Sequence, residues 1–338
     1  MTIQDAIRSV IAGNNLTIAE SIDVFTQIMG GDATDAQIAA FIVALRMKGE
    51  SADEITGAAS VMREKATRVI SSKSGYILDT CGTGGDGANT FNISTATAFV
   101  ASGAGATVAK HGNRSVSSKC GSADVLESLG VNISISPEKM KECLDTIGIC
   151  FLFATTLHKA MKYAIGPRKE IGVRTIFNCL GPLTNPSMAD SQVMGVFSEG
   201  LTETLATVLK NMGTKRAFVV HGLDPIDEIS ISSSTRVSEV NNGKITSYSI
   251  QPEDFGLKRH PLASVAGGLS NENAGIIKNI LAGEKGPRRD IVVLNSAFAI
   301  TASGIVSDPE DGIKAAEQSI DSGAAMKKLN ELVKFTNQ

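Results

Sequence analysis

Positive charge is not in excess in this 338-residue chain. Lysine and arginine number 32 against 35 aspartates and glutamates, and the formal net charge is −3. Proteins that bind nucleic acid through its phosphates generally present a basic face. The composition therefore argues against a nucleic-acid partner, and any local cluster of cations is an exception that needs a reason of its own.

Long apolar runs and targeting signals are also absent. No run of about 18 apolar residues could span a bilayer, and the N-terminus shows no basic and apolar signal pattern. Hydrophobic residues at 42% and charged residues at 20% are typical of a globular protein. We therefore expect a cytoplasmic protein with no membrane partner.

The sequence lacks the signatures of several enzyme classes. No histidine has HExxH spacing, there is no GxSxG motif, and no glycine loop ends in Gly-Lys-Ser/Thr as a P-loop does. The cysteines form no CxxC pair and are odd in number, which favours reduced thiols over a disulfide framework. We expect Cys81 and Cys120 to fill small-residue positions in glycine-rich segments rather than act as nucleophiles. The five cysteines are Cys81, Cys120, Cys143, Cys150 and Cys179.

The fold class follows from a change of period along the chain. Residues 1–67 show helical apolar spacing and three capping boxes, in which Thr17, Thr34 and Ser51 are each followed three residues later by Glu or Gln. From Tyr76 onward, short apolar runs alternate with helical stretches. We predict an α/β protein: a small all-helical N-terminal domain at 1–70, and a larger α/β domain at 75–338 with a central, mostly parallel sheet flanked by helices.

The strands of that sheet are predicted from the short apolar runs. A further pair, joined through Asn241-Asn242-Gly243, is predicted within 236–250, and most of the chain after Asn271 is predicted to be helical. The single strands are predicted at 77–80, 107–110, 131–133, 151–154, 193–197, 217–221 and 292–295.

Two glycine- and hydroxyl-rich loops lie close together in the sequence. The first, Gly82-Thr-Gly-Gly-Asp-Gly87, follows an apolar run, and its glycines allow backbone N–H groups to approach an anion. The second, Lys110-His-Gly-Asn-Arg-Ser-Val-Ser-Ser-Lys119, has three cations, three hydroxyls and no acid. One glycine-rich turn alone often serves only packing. Two at the ends of neighbouring strands predict a polyanion site.

Three further features are candidates with two interpretations each. The pair Asp227-Glu228 follows an apolar run, so it is either a solvated acidic turn or a Mg²⁺ site, and the predicted phosphate site favours the metal. Arg168 follows Gly166-Pro167 and is either a surface arginine or aimed at a substrate carboxylate or phosphate. His111, between Lys110 and Gly112, is either an ordinary strand-end residue or part of the site.

Ordered motifs give the chain a specific resemblance. It resembles the anthranilate phosphoribosyltransferases of tryptophan biosynthesis over nearly its whole length. The resemblance implies a helical domain completed by part of 157–190, hinges between the domains, and a homodimer formed through the helical domain. The motifs are Gly82-Thr-Gly-Gly-Asp-Gly, Asn92-Ile-Ser-Thr, Lys110-His-Gly-Asn-Arg, Gly121-Ser-Ala-Asp-Val-Leu-Glu, Arg174-Thr-Ile-Phe-Asn and Gly181-Pro-Leu-Thr-Asn-Pro, together with Ala44-Leu-Arg-Met-Lys-Gly-Glu in the helical part.

The resemblance implies transfer of phosphoribosyl from 5-phosphoribosyl 1-diphosphate (PRPP) to the amine of anthranilate, with Mg²⁺ as cofactor. It implies anthranilate contacts at Gly82, Asn113 and Arg168 and metal ligands at Ser94, Asp227 and Glu228. Lys110, His111 and Arg168 are electrostatic or positioning candidates, and no single general base is expected. The implied PRPP-binding residues are Gly82, Gly85, Asp86, Thr90, Asn92, Ile93, Ser94, Thr95, Lys110, His111, Gly112, Asn113, Arg114, Ser115, Val116, Ser117, Ser118 and Ser122.

Two other functions remain open at this point. A pyrimidine nucleoside phosphorylase has a similar architecture, but it cleaves nucleosides with free phosphate and does not need the Asp227-Glu228 metal site. A non-catalytic sensor of phosphorylated metabolites would bind PRPP without turnover. The joint presence of an acid pair and an acceptor-side arginine argues against the sensor.

Overall fold

The N-terminal helices begin where the capping boxes predict. The structure, a computed structural model, describes residues 1–115 and 119–338. All three capping boxes are closed in both directions, and Gly31 ends the second helix with a φ of 88°, in the left-handed region that favours glycine. The four helices are α1 (Ile3–Ile11), α2 (Ile18–Gly30), α3 (Asp35–Lys48) and α4 (Ala52–Lys65).

A seven-stranded sheet forms the centre of the remaining chain. Its strand order is β3-β2-β1-β4-β5-β6-β7, the first five strands are parallel, and the last two pair antiparallel. This confirms the predicted, mostly parallel sheet. The strands are β1 (Ile77–Gly82), β2 (Thr107–Gly112), β3 (Ile149–Phe153), β4 (Ser191–Gly195), β5 (Arg216–Gly222), β6 (Thr235–Asn241) and β7 (Lys244–Ile250).

Helices connect the strands and cover the sheet. The segment between β3 and β4 returns to the N-terminal bundle, where α9 packs on α2 and α3. No helix among residues 1–115 and 119–338 is long and apolar enough to cross a membrane. The helices are α5 (Ile93–Gly103), α6 (Ser122–Ser128), α7 (Pro137–Ile147), α8 (Ala154–Leu157), α9 (Lys162–Ile171), α10 (Phe177–Leu180), α11 (Leu201–Asn211), α12 (Ser270–Leu281), α13 (Pro287–Ala302), α14 (Pro309–Asp321) and α15 (Ala324–Thr336).

The alternation of side chains along the strands divides the core into two clusters. On β5, Phe218 and Val220 belong to one cluster, with α5 and α13, whereas Ala217 and Val219 belong to the other. That second cluster is continuous with the interior of the N-terminal bundle through α11, which packs on α4. Successive strand residues point to opposite faces, so one sheet joins both parts of the protein.

Two predicted strands are wrong. Residues 292–295 lie inside α13, where 13 of 16 residues are buried. A helix that is apolar all round has no period to distinguish it from a buried strand. Residues 131–133 have no regular secondary structure, and Asn132 donates its N–H to Thr336 Oγ1, at 3.1 Å, at the end of α15. The alternation there therefore serves packing on a helix and not pairing in the sheet.

The strand order also indicates where a ligand would bind. The chain leaves β1 toward β2 and β3 on one side, and it builds β4 and β5 on the other. Open parallel sheets bind ligands outside the carboxyl ends of their strands, at the point where the order reverses. Both predicted phosphate loops and the acid pair follow β1, β2 and β5, so all three reach this edge.

Candidate active site

The first glycine loop and the acid pair interlock at the carboxyl edge of the sheet. Gly84 donates its N–H to Asp227 Oδ2 at 2.7 Å, and the N–H of Asp227 points back at Asp86 Oδ2 at 3.2 Å. A Cβ on Gly82 would collide with the Asp227 carboxylate, and one on Gly195 would collide with its backbone carbonyl. The two glycines are therefore needed because the acid loop lies directly against the ends of β1 and β4.

The second acid of the pair caps a helix. Glu228 Oε1 accepts the N–H of Ser94 at 3.1 Å, in the first turn of α5. The N-terminus of a helix carries partial positive charge and unpaired N–H groups, so it favours an anion. In this structure the Glu228 carboxylate is the anion that α5 binds.

The acids of this cluster repel one another. Desolvation raises the pKa of Asp227, and the neighbouring Asp86 raises it further. Desolvation followed by the charge of Asp227 raises the pKa of Glu228. Among the described residues, neither Asp227 nor Glu228 forms a salt bridge. An acid pair that is partly withdrawn from water without a salt-bridge partner has the electrostatics of a cation site.

The donor set fits magnesium better than a transition metal. Within residues 1–115 and 119–338, no three His, Cys, Asp or Glu side chains come together as a metal cage. Mg²⁺ does not need one, because it takes one or two carboxylates and completes its shell with water and substrate phosphate oxygens. Asp227 and Glu228 are carboxylates that could serve in this way, and the Ser94 hydroxyl lies at the same helix terminus.

Lys110 connects the second loop to this cluster. Its ammonium group donates to the carbonyl of Thr80 and lies 3.3 Å from Ser94 Oγ. Burial lowers its pKa, whereas the nearby Asp79 carboxylate favours the charged form. A cation is therefore held beneath the helix terminus at which the acids converge.

His111, the next residue of β2, points to the other side and meets a second histidine. Its Nδ1 lies 3.1 Å from the carbonyl of Gly181, so this nitrogen carries the proton. Its ring lies 5.1 Å from that of His158. Burial lowers the pKa of His111 to about 3 and that of His158 to about 4. Within the described residues, neither Nε2 has a partner.

The remainder of the second loop is built around Asn113 and Arg114. Asn113 accepts from Thr155 Oγ1 and from Ser122 Oγ, both at 3.3 Å. Arg114 is held by Asp124 at 2.9 Å and Glu127 at 2.6 Å, so its charge is already paired before any phosphate arrives. Ser115 donates its N–H to Asp124 Oδ2 at 3.2 Å. The predicted residues Val116, Ser117 and Ser118 lie outside the described residues.

Arg168 reaches the protein interior from the helical side. It lies on α9, half-buried, with its guanidinium 5.1 Å from the ring of Phe177. No described residue forms a salt bridge with it, and burial lowers its pKa. A guanidinium that packs on a ring without a carboxylate partner is available to an anionic ligand.

Other predicted residues have structural partners of their own. Asn92 lies between Asn273, which donates to its Oδ1 at 2.9 Å, and the carbonyl of Cys120 at 3.2 Å. Thr90 pairs through its backbone with Ala266. Thr95 and Ile93 are buried in the first turn of α5. The structure thus gathers the first loop, the start of α5 and the acids in one place.

Sequence reasoning missed several residues of this edge. Asp79 is fully buried and accepts the N–H of His111 at 3.0 Å, but it precedes the glycine loop by three residues and looks like strand. His158 had no sequence spacing to mark it. Arg174 donates to the carbonyl of Gly85, and its guanidinium lies 4.5 Å from the centre of the Phe197 ring. Its place in the Arg174-Thr-Ile-Phe-Asn motif could have marked it as a residue of this edge.

Comparison with known families identifies both parts of the chain. Residues 4–66 match the glycosyl transferase family, helical bundle domain, and residues 74–326 match the glycosyl transferase family, a/b domain.

Individual relatives cover almost all of the chain. Anthranilate phosphoribosyltransferase from Acetivibrio thermocellus is 57% identical, over 99% of this chain and 97% of its own. The crystal structure of the enzyme of that name from Thermus thermophilus is 40% identical, with a TM-score of 0.94 over 99% of this chain and 100% of its own. The Saccharomyces cerevisiae enzyme in complex with PRPP and Mg is 28% identical, with a TM-score of 0.89 over 99% and 98%. That yeast enzyme has also been solved with 4-fluoroanthranilate.

Acidification should destabilise the folded protein through His111 and His158. The pKa of an unfolded histidine is near 6.5, whereas burial lowers the pKa values of these two to about 3 and about 4 in the folded protein. Between those values the unfolded chain binds more protons, so the free energy of unfolding falls as the pH falls. From about pH 7 to about pH 5 we expect a loss of about 2 kcal/mol per histidine.

Urea unfolding at the two pH values measures this loss. The His158→Gln variant should lose about half as much stability on acidification as the two histidines predict together. Equal pH dependence in the variant and the unchanged protein would show that His158 is not buried in its neutral form.

Proposed function

The chain belongs to the anthranilate phosphoribosyltransferases of the glycosyl transferase family, and we propose that the interlocked loops after β1 and β5 are the place where it binds magnesium and PRPP. Its reaction transfers phosphoribosyl from PRPP to the amine of anthranilate, in tryptophan biosynthesis. The observation that carries the proposal is the contact of Gly84 and Ser94 N–H groups with Asp227 and Glu228. Because the relatives are anthranilate phosphoribosyltransferases, the alternative function of a nucleoside phosphorylase is no longer supported.

The residues of the first loop bind the departing diphosphate in this proposal. Gly84 and Gly85 have positive φ, of 67° and 76°, which turns their backbone outward from β1. Breaking the C1–O bond of the ribose leaves negative charge on diphosphate and positive charge on the sugar ring. First-loop N–H groups other than that of Gly84, which binds Asp227, stabilise the leaving anion together with the Lys110 ammonium, without having to reorganise during the reaction. The yeast relative solved in complex with PRPP and Mg supports PRPP and Mg²⁺ as the ligands, and the placement at this loop rests on the geometry above.

Magnesium fits the acid pair for the reasons of charge given above. Asp227 and Glu228 would hold it, with Ser94 beside them. When bound, the ion neutralises diphosphate charge and so makes it a better leaving group. The protein itself keeps the two carboxylates close to the N-terminus of α5.

The acceptor lies on the other side of β2 in this proposal. Arg168 binds the carboxylate of anthranilate, and Gly82, Asn113 and His111 line its approach. The amine of anthranilate is nucleophilic in its neutral form, so orientation matters more than a strong base. His111 has a pKa of about 3 and is a weak base. Its Nε2, which has no partner among the described residues, instead accepts a hydrogen bond and orients the amine.

Replacing Arg168 should raise the KM for anthranilate. Arg168→Ala removes the cation that pairs with the acceptor carboxylate, and charged hydrogen bonds of this kind are worth about 1.5–3 kcal/mol, or roughly 10- to 150-fold in KM. The KM for PRPP should change little. Steady-state assays that follow anthranilate fluorescence measure both. Lys169→Ala, an exposed cation on the same helix, is the matched control. A selective loss of PRPP affinity would refute the acceptor role.

Neutralising the acid pair should abolish magnesium-dependent turnover. In Asp227→Asn with Glu228→Gln, the shapes remain but both charges are lost, so the fold should persist while the metal no longer binds. Activity is measured against Mg²⁺ concentration, and folding by circular dichroism. The charge-matched control is Glu310→Gln with Asp311→Asn, an exposed pair in the first turn of α14. An unchanged Mg²⁺ titration would exclude the acid pair as the metal site.

The helical part is the proposed surface of a homodimer. Met47 is 84% exposed at the end of α3, and Ile11 is 72% exposed at the end of α1, which packs on α3. Large apolar side chains at such exposure favour association. Light scattering after size exclusion should give the mass of two chains. Met47→Asp should shift the equilibrium toward one chain, whereas Leu269→Asp, 64% exposed in the α/β part, should not. A single-chain mass for the unchanged protein would exclude the dimer.

A further inference from the structure

The acid pair lies in a loop outside the named helices and strands. Residues 223–234 connect β5 to β6, and Asp227 and Glu228 occupy its middle. Gly222 and Ile226 bond to each other through their backbones at 2.9 and 3.3 Å, which closes the first half. The Ser230 hydroxyl donates to Asp224 at 2.8 Å, so this second contact spans the segment that contains both acids. The acids therefore follow the first closure directly and lie inside the second.

A side chain from a distant helix binds the backbone directly after the acids. Asn295 lies on α13 and is 1% exposed. Its Oδ1 accepts the N–H of Ile229 at 3.0 Å, and its Nδ2 donates to the carbonyl of Ile229 at 2.9 Å. Its second N–H donates to the carbonyl of Ile291, one turn earlier in α13, at 2.9 Å. One amide thus satisfies both backbone groups of Ile229 as a neighbouring strand would.

The unfavourable burial of the polar Asn295 amide indicates a structural role. Burying a polar side chain in an apolar helix is unfavourable unless every group is hydrogen-bonded, and Asn295 meets that condition through Ile229. Ile229 is itself fully buried, so its N–H and carbonyl have no access to water. The pairing therefore resists any shift of the loop relative to α13.

We propose that Asn295 is a positioning residue for the magnesium site, acting through the backbone of Ile229 on Glu228. Repulsion among Asp86, Asp227 and Glu228 tends to push the loop away from β1 and α5. The pairing with Asn295 opposes that movement and keeps the Glu228 carboxylate at the N–H of Ser94. The inference rests on the proposed function, because it takes the acid pair as the metal site.

Metal binding tests the proposal without relying on turnover. Mn²⁺ is added together with PRPP, and free Mn²⁺ is followed by electron paramagnetic resonance. Asn295→Ala should weaken Mn²⁺ binding by roughly 10- to 100-fold, the usual effect of losing a group that orients a metal ligand. The matched control is Thr301→Ala, on the same helix, where a buried hydroxyl donates only to Ala297, at 2.8 Å. Thr301→Ala should leave Mn²⁺ affinity within about twofold. Equal weakening in both variants would refute the proposal.

A double-mutant cycle separates positioning from loss of stability. In the Glu228→Gln background, Asn295→Ala should weaken Mn²⁺ binding no further, because the ligand it positions is gone. An undiminished effect there would overturn the proposal. If Asn295→Ala does not fold, Asn295→Leu keeps about the same volume but loses the hydrogen bonds to both backbone groups of Ile229. It should weaken Mn²⁺ binding to a similar degree, and unchanged affinity would again refute the role.

The KM values provide a second readout. Asn295 variants should raise the KM for PRPP at limiting Mg²⁺ and leave the KM for anthranilate unchanged, and a rise in both would contradict a role specific to the acids. Failure of the proposed function has a different signature. In that case the unchanged protein itself would show no joint binding of Mn²⁺ and PRPP.

Discussion

The candidate active site depends on keeping carboxylates close together although their negative charges repel one another. Asp86 contacts Asp227 near the point where the strand order reverses, Glu228 is the next residue, and desolvation and mutual repulsion raise the pKa values of Asp227 and Glu228. The fold opposes this with backbone N–H groups from the glycine loop and from the start of α5. Glycine at the ends of β1 and β4 is required because the acid loop lies directly against those backbones. Hydrogen bonds stabilise this cluster, but its negative charge is not neutralised. That combination is typical of a site that binds a cation.

Strand β2 separates two groups of candidate site residues. Lys110 and His111 are consecutive on β2, so they point to opposite sides of the sheet. Lys110 reaches Thr80 and Ser94, next to the acids. His111 reaches Gly181 and His158, in the segment that returns to the helical bundle. The buried Asp79 holds the backbone between them. Consecutive residues of β2 therefore serve two different groups of side chains at the same edge of the sheet.

The helical part and the sheet are packed into one structure. Its core is continuous with one face of the sheet, and α9, which carries Arg168, packs on α2 and α3. Arg174 lies between α9 and α10 and donates to the carbonyl of Gly85 in the first loop. Movement of the bundle relative to the sheet would therefore act on Arg168 and on the first glycine loop together.

The sequence by itself determined the local elements and the kinds of chemistry. Capping boxes, glycine loops and an acid pair act over a few residues, so their spacing predicted the first four helices, most strands and the phosphate and acid loops. It did not distinguish α13 from a strand, because a helix buried on all sides has no polar face. Only the tertiary structure decided that Asp227 lies against Gly82, that His158 meets His111, and that Asn295 holds Ile229. These pairs are 47 to 145 positions apart in the chain, and no local pattern encodes contacts that arise when the sheet and its helices pack.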